Sequence, residues 1–344
     1  FDCDGSVQML GYTIHCANIA GHGSISLTDA LAESCNMALM DIAAAEGVDL
    51  FSKYQSQFGF GSLTNIDLPT EMSCRTEIYT RETMTDLDLA INSFGQSFNV
   101  TMVQMSSAFC ALINGGTYYK PYMVKGLYNS NGELVKSYGK TIVSRPISEE
   151  TSRFIKNALR HVVTDGTGPD AAVPGYIAAG KTGTAQKGRR ADDLWVASFI
   201  GFAPYDNPQV VCYVVIDEPE SGGDGSSVYA CELFRSIMEE VLPYLNAVPA
   251  SMDYDPTGMG SPEQAEDSEE TQNIWTDGIT YDNDYDDSYD YDNYVGDWDD
   301  SYDYGDYGSD WDDSYNYDDY EDYYGGEYDY GAYYDEEGYE NTWY

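Results

Sequence analysis

The C-terminal part of the chain limits what the rest can fold into. From Ser251 to Tyr344 there are 32 Asp and Glu and no Lys, Arg or His. A segment with that charge and few aliphatic side chains cannot bury enough apolar surface to offset the entropy of ordering it. It is also repetitive. Units of 13 residues, DYDDSYDYDNYVG from Asp284, DWDDSYDYGDYGS from Asp297 and DWDDSYNYDDYED from Asp310, follow one another, and a degraded copy begins near Tyr323. Residues 251–344 are therefore expected to form an acidic Tyr/Asp-rich low-complexity tail, disordered, with aromatic rings free to stack on a partner or a glycan. An EF-hand reading of Asp282, Asp284 and Asp286 fails, because Asp287 stands where that loop needs glycine.

The fold must then come from residues 1–247. Of the 60 acidic residues, 28 lie before Ser251 together with all 16 Lys and Arg, so this part is acidic too. A surface of that sign excludes a phosphate-binding face, and nucleic acid is not an expected partner. No apolar run is long enough to span a bilayer. The sequence starts at Phe1 without a signal peptide and reads as a truncated or processed piece, with any membrane anchor expected upstream of Phe1. Residues 24–47 read as helix, a Ser-Cys-Asn triplet and helix again. Residues 101–114 form an amphipathic helix stopped by Gly115-Gly116. Residues 118–138 read as a hairpin turning at Asn129–Gly132. Ser148 caps a helix running to about Thr164. Three strand-like runs follow, at 177–186, 194–202 and 210–217. The last two are joined by a Pro204–Pro208 turn that predicts antiparallel pairing. A helix over 227–245 closes the domain. Strands clustered between helices predict an α+β fold rather than a parallel sheet.

The chemistry is carried by two short motifs. Ser34-Cys35-Asn36 is a Ser-x-Asn, and Lys181-Thr182-Gly183-Thr184 is a Lys-Thr-Gly on a predicted strand. Serine acyl transfer needs a nucleophile, a base for its proton, oxyanion donors and a clamp for the substrate. Lys181 beside Ser34 can relay a proton to and from a leaving amine. Asn36 offers an amide to a substrate backbone, and Gly183 lets an extended peptide approach the strand.

With the phrases GHGSISLTDALAESCN, SFGQSFNVTMVQM, GTGPDAAVPGYIAAGKTGTAQ and SFIGFAP in order, residues 1–247 resemble the transpeptidase domain of class B penicillin-binding proteins. The resemblance implies a serine β-lactamase/DD-transpeptidase-like fold, with an antiparallel sheet beside a helical subdomain and the active site between them. It implies a peptidoglycan D,D-transpeptidase acting on D-Ala-D-Ala stem peptides, acylated by β-lactams, on the extracytoplasmic face of the bacterial membrane, with other cell-wall synthesis proteins as expected partners. Ser34, Asn36 and Lys181 become catalytic residues. Thr182, Gly183 and Thr184 become substrate-binding ones, the Thr184 N–H as an oxyanion donor and the Thr182 and Thr184 hydroxyls on the terminal carboxylate. No cofactor is required for that chemistry. The alternatives are a β-lactam sensor domain and a non-catalytic wall-associated protein. Gln96, Gln104, His161 and Trp195 are assigned structural positions.

One family element is out of place. The Ser-x-x-Lys that supplies the nucleophile is expected well before Ser34, upstream of Phe1. The one such string here, Ser137–Lys140, reads as strand, where residues i and i+3 face opposite sides. The chain by itself is expected to be inactive, with an apolar trough left beside Lys181 and Ser34.

The N-terminal cysteines raise a separate question. Cys3, Cys16, His22 and Cys35 run C-x12-C-x5-H-x12-C. A Cys3His set can hold structural zinc. A Cys3–Cys16 disulfide across the intervening hairpin, or free thiols, fit the same spacing. Cys74, Cys110, Cys212 and Cys231 are expected to be buried as small apolar residues.

Overall fold

The computed structural model describes residues 1–187, 194–219 and 226–250, and the backbone of Thr342–Trp343. The repeats and the expected disorder of the tail lie outside the described residues.

The fold is built on three antiparallel strands, β9 (Ala179–Lys187), β10 (Leu194–Ala203) and β11 (Val210–Asp217). Their order is β11-β10-β9, so β10 is central and β9 lies at the edge. β10 reads LWVASFIGFA, nearly all apolar, because helices cover both of its faces. On one face Phe199 and Ala203 meet α6 (Val228–Tyr244), whose Ala230, Phe234, Met238 and Leu242 recur every fourth residue and are fully buried. Phe199 and Phe234 pack edge-on, with ring centroids 4.8 Å apart. On the other face Ile200 and Phe202 pack against Phe109 and Ile113 of α4 (Met102–Ile113) and Leu159 of α5 (Glu149–Thr164).

The N-terminal part packs around a second apolar cluster. β1 (Asp2–Cys3) pairs with β4 (Gly23–Ser24), and β2 (Ser6–Met9) with β3 (Tyr12–His15) in a tight hairpin. The Cys16 N–H donates to the Gly5 carbonyl at 2.8 Å and closes the hairpin base. α1 (Leu27–Ala32) starts with a Ser26/Asp29 capping box. α2 (Asn36–Gln57) kinks at Gly47, which has φ 76°. α3 (Asp86–Ser93) starts with a Thr85/Asp88 box.

Several expectations are refined. The helix expected to end at Gly47 does break there, at a non-helical φ of 76°, and a second helical run follows to Gln57. The hairpin expected over 118–138 is narrower. β6 (Gly126–Tyr128) and β7 (Leu134–Ser137) form it, while β5 (Tyr118–Tyr119) turns away to pair with β8 (Ile142–Ser144). Ser137 ends β7 and no helix follows it, so Ser137–Lys140 lacks the helix start that a nucleophile motif needs. Cys110 and Cys212 are half-buried rather than buried. β12 (Thr342–Trp343) lies parallel to β3.

The Gly115-Gly116 stop after α4 gives a sharp test. Gly116 has φ +92°, and a Cβ there would lie 1.9 Å from the Ile147 carbonyl oxygen. At Gly115, φ +90°, the nearest heavy atom would be Glu149 Cγ at 3.4 Å. Gly116→Ala is expected to cost about 2–4 kcal/mol, strain plus overpacking. Gly115→Ala should cost about 1 kcal/mol, from backbone strain alone. Urea midpoints of the two variants check the difference.

Candidate active site and cysteine cluster

Ser34 sits in the turn between α1 and α2 with φ +53°, a left-handed backbone that costs a non-glycine residue roughly 1 kcal/mol. Its neighbours hold it there. The Cys35 N–H donates to the Ala30 carbonyl at 2.9 Å and the Ser34 N–H to the Leu31 carbonyl at 3.4 Å. Lys181, near the start of β9, extends to the turn and donates through Nζ to Ser34 Oγ at 3.0 Å, joining residues 147 apart in sequence. The same ammonium donates to the Thr182 carbonyl at 3.1 Å and lies 3.4 Å from Thr182 Oγ1. Burial brings the Lys181 pKa down from 10.5 to about 8, so the amine is within reach of both protonation states near neutral pH.

The other motif residues gather round this pair. Asn36 opens α2 and its Nδ2 donates to the His15 carbonyl at 3.0 Å, tying the motif to the end of β3. Thr184 is exposed on β9. Gly183 faces Ser198 across the strand pair, and a Cβ there would meet Ser198 Oγ at 2.6 Å, so a larger residue would have to turn that hydroxyl away.

Two contacts escaped the sequence reading. Thr167 donates from its N–H and from Oγ1 to the Ala32 carbonyl at the end of α1, at 3.2 and 3.3 Å, and its Oγ1 lies 2.6 Å from Thr182 Oγ1. It couples the Ser34 turn to the Lys-Thr-Gly strand. Gln96, assigned a structural position, extends Nε2 to the Thr184 carbonyl at 3.4 Å, on the edge strand. Gln104 is buried, closes the α4 capping box and donates to the Ser62 carbonyl at 2.6 Å. His161 lies on the α5 surface beside Asp165. Trp195 is half-buried on β10. An apolar groove of about 320 Å³ runs along α4, lined by Met102, Val103, Ser106, Ser107, Cys110 and Pro121. Neither Ser34 nor Lys181 lines it, so it is not the expected trough.

Immediately behind Ser34, the ligand atoms of Cys3, Cys16, His22 and Cys35 all lie within 4.8 Å of one another. Cys16 Sγ is 3.9 Å from Cys35 Sγ and 3.6 Å from His22 Nδ1. All cysteines are free, so the Cys3–Cys16 disulfide is not formed. Burial raises the Cys3 thiol pKa, but hydrogen bonds from the His22 backbone and ring and from the Gly5 N–H outweigh it and bring it down to about 7. Burial pushes Cys35 up to about 12, with the adjoining Cys3 and Cys16 acting in the same direction.

Residues 1–239 match the profile of the penicillin binding protein transpeptidase domain. Stage V sporulation protein D of Bacillus subtilis is 36% identical over 249 residues, covering 71% of this chain and 38% of the relative. A probable peptidoglycan D,D-transpeptidase, PenA of Neisseria gonorrhoeae, is 30% identical over 230 residues, covering 66% of this chain and 37% of the relative. The chain thus spans about two-fifths of the curated relatives it matches. Penicillin binding protein 3 of Mycobacterium tuberculosis, solved in complex with ampicillin, superposes with a TM-score of 0.66 at 28% identity, over 75% of this chain and 59% of that one. An α+β fold of this kind, with a Ser-x-Asn turn hydrogen-bonded to a Lys-Thr-Gly edge strand, agrees with these likenesses: the chain belongs to the penicillin-binding protein transpeptidase family.

Proposed function

We propose that this chain is the larger part of the catalytic domain of a peptidoglycan D,D-transpeptidase, working on the extracytoplasmic face of a bacterial membrane. The observation that carries the reading is the 3.0 Å Lys181–Ser34 hydrogen bond beside the edge strand β9. In the reaction a serine oxygen bonds to the penultimate D-Ala carbonyl carbon of a stem peptide, and the terminal D-Ala leaves as its amine. A second stem's amino group then displaces the serine and forms the cross-link. Ser34 and Lys181 pass the proton that the leaving amine gains. An extended stem peptide adds along the β9 edge by backbone hydrogen bonds, with Asn36 at its acyl side and Gly183 leaving clearance. The Thr184 N–H serves as an oxyanion donor, and the Thr182 and Thr184 hydroxyls hold the terminal carboxylate. β-Lactams enter as mimics of that terminus, and the ampicillin complex of the mycobacterial relative supports this assignment. The nucleophile belongs to a Ser-x-x-Lys helix, which Ser137–Lys140 at the end of β7 does not supply.

Labelling by a fluorescent penicillin tests the reading. The full gene product is expected to be labelled stoichiometrically, and residues 1–344 alone to stay unlabelled. Lys181→Met or Ser34→Ala in the full product should slow acylation by about 10²–10⁴-fold, the range of a general acid–base contribution. Stoichiometric labelling of the 344-residue chain at Ser34 or Ser137 would refute the assignment of roles.

A further inference from the structure

We propose that the β6–β7 hairpin and the chain flanking it form a docking surface for an acidic, tyrosine-rich peptide of the kind that residues 284–322 repeat. None of its residues belongs to the Ser34–Lys181 pair, so the proposal does not rest on the transpeptidase reading.

Charge is the first argument. Before Ser251 the chain holds 28 acids and 16 bases, yet residues 89–148 carry five bases, Lys120, Lys125, Lys136, Lys140 and Arg145, and one acid, Glu133. That acid is engaged in the hairpin turn, where Glu133 Oε2 accepts from Asn129 Nδ2 at 2.7 Å. Folding gathers the bases. The Tyr138 N–H donates to the Lys125 carbonyl at 3.0 Å and the Lys120 N–H to the Thr141 carbonyl at 2.9 Å, so both ends of this segment lie side by side. Lys136 stands opposite Leu127 across the strand pair. A basic lobe on an acidic chain attracts an anionic partner and repels a second copy of itself.

The lobe is also bare. Successive residues of a strand point to opposite faces. Leu134 and Val135 are 54% and 67% exposed, so neither face of β7 is covered. Leu127 and Tyr128 on β6 are exposed as well. The two strands pair with each other, and among the described residues neither has a second neighbour. Such a ribbon is marginal in water by itself, and apolar side chains exposed together within a charged rim mark an interaction surface. Its base is nevertheless fixed. The Asp67 carboxylate accepts from the Met123 and Val124 N–H groups at 2.6 and 2.8 Å, and Ser144 Oγ donates to the Gln57 carbonyl at 2.7 Å.

The combination selects the partner. Lysines of the lobe already lie against rings: Lys136 Nζ is 4.7 Å from the Tyr138 ring centroid, and Lys140 Nζ is 5.7 Å from that of Tyr119. A peptide bearing carboxylates and aromatic rings together offers such lysines both of the groups that attract them. Residues 251–344 have that chemistry, with 32 acids, no base, and four Tyr or Trp in each 13-residue unit. An anionic bilayer is a broad surface and would also face the acidic remainder of the domain, whereas a peptide need touch only the lobe.

The test uses the 344-residue chain mixed with an isotopically heavy synthetic peptide of residues 284–322. A carbodiimide condenses a lysine amine with a carboxylate in contact with it, forming an amide and taking up the water as a urea. Mass spectrometry should find Lys125, Lys136 and Lys140 joined to the acidic repeats, light or heavy, about tenfold more often than Lys53, an exposed lysine outside the lobe. Raising the salt from about 0.05 to about 0.5 M should reduce these products several-fold. Val135→Glu should reduce them at Lys125 and Lys140 by a similar factor, and Val135→Leu should leave them unchanged. Poly-glutamate of equal charge, lacking rings, should displace them only at about tenfold higher concentration than the heavy peptide does. Products spread evenly over Lys53 and the lobe, or equal displacement by poly-glutamate, would overturn the proposal. Binding to phosphatidylglycerol vesicles that excess peptide fails to reverse would overturn it too, and assign the lobe to a lipid surface.

Discussion

Phe234→Ala is expected to destabilise the folded region by about 3–5 kcal/mol, the range for emptying a buried aromatic site. Phe234 is fully buried at the centre of α6 and packs edge-on against Phe199 on the central strand. Its ring also lies over Gly201, where a Cβ would come within 2.9 Å of it, so the strand has been left bare to admit this side chain. The neighbours, Phe199 on β10 and Met238 and Leu242 on α6 itself, are fully buried, which limits how far the cavity can collapse. At ~2–4 °C per kcal/mol for a domain of this size, the midpoint should fall by roughly 6–20 °C in calorimetry. Phe234→Leu keeps most of the volume and should cost less than about 1.5 kcal/mol. A loss below about 1 kcal/mol for the alanine variant would mean that α6 does not form the core of the sheet.

Lys181 should govern a second large effect, one that depends on pH. Its pKa is about 8 in the folded chain against 10.5 when free. Below pH 8 both folded and unfolded states carry the proton, and the burial penalty acts in full. Between about 8 and 10.5 the folded state has lost the proton and the unfolded state has kept it, so unfolding becomes harder as pH rises. Above 10.5 both are neutral and the penalty is gone. The total is on the order of 3 kcal/mol. Lys181→Met removes this rise. At pH 7 it should be more stable than the native chain by on the order of 1–2 kcal/mol, after the loss of the Ser34 and Thr182 hydrogen bonds is allowed for. Urea unfolding of both proteins at pH 7 and 10 measures it, and parallel stability curves would rule the account out. The same substitution removes the proposed proton relay, so stability and acylation should move in opposite directions.

Much of this was legible in the sequence, for reasons that can be traced. β9, β10 and β11 were readable because apolar runs of strand length are separated by turn residues, and α5 because Ser148 stands before an amphipathic run. The pairing of Ser34 with Lys181 followed from the joint presence of two motifs and not from either alone. α3 was missed although Thr85 and Asp88 spell a capping box, because its eight residues offer too short a period. The break at Gly47 was legible because glycine takes a positive φ at little cost; the second helical run to Gln57 was not. β5 was given the wrong partner because pairing with β8 is fixed by tertiary contacts that bring chain segments together. Thr167 was invisible for a related reason: its bonds to Ala32 and Thr182 join segments far apart in sequence, and a lone threonine in a Gly-rich loop carries no local sign of them.

The cysteine cluster also bears on how such a chain assembles in time. All four side chains of the cluster fall within residues 3–35, whereas Lys181 lies far downstream and pairs with Ser34 only through long-range contact. A polypeptide emerges N-terminus first, from a ribosome or from a translocation pore. The residues of the hairpin and of the Ser34 turn therefore all emerge before any strand of the central sheet. Local closure is cheap in entropy compared with bringing together segments separated by most of the domain. The serine side of the Ser34–Lys181 pair can thus close through local contacts, whereas the strand bearing the lysine must reach it across most of the domain.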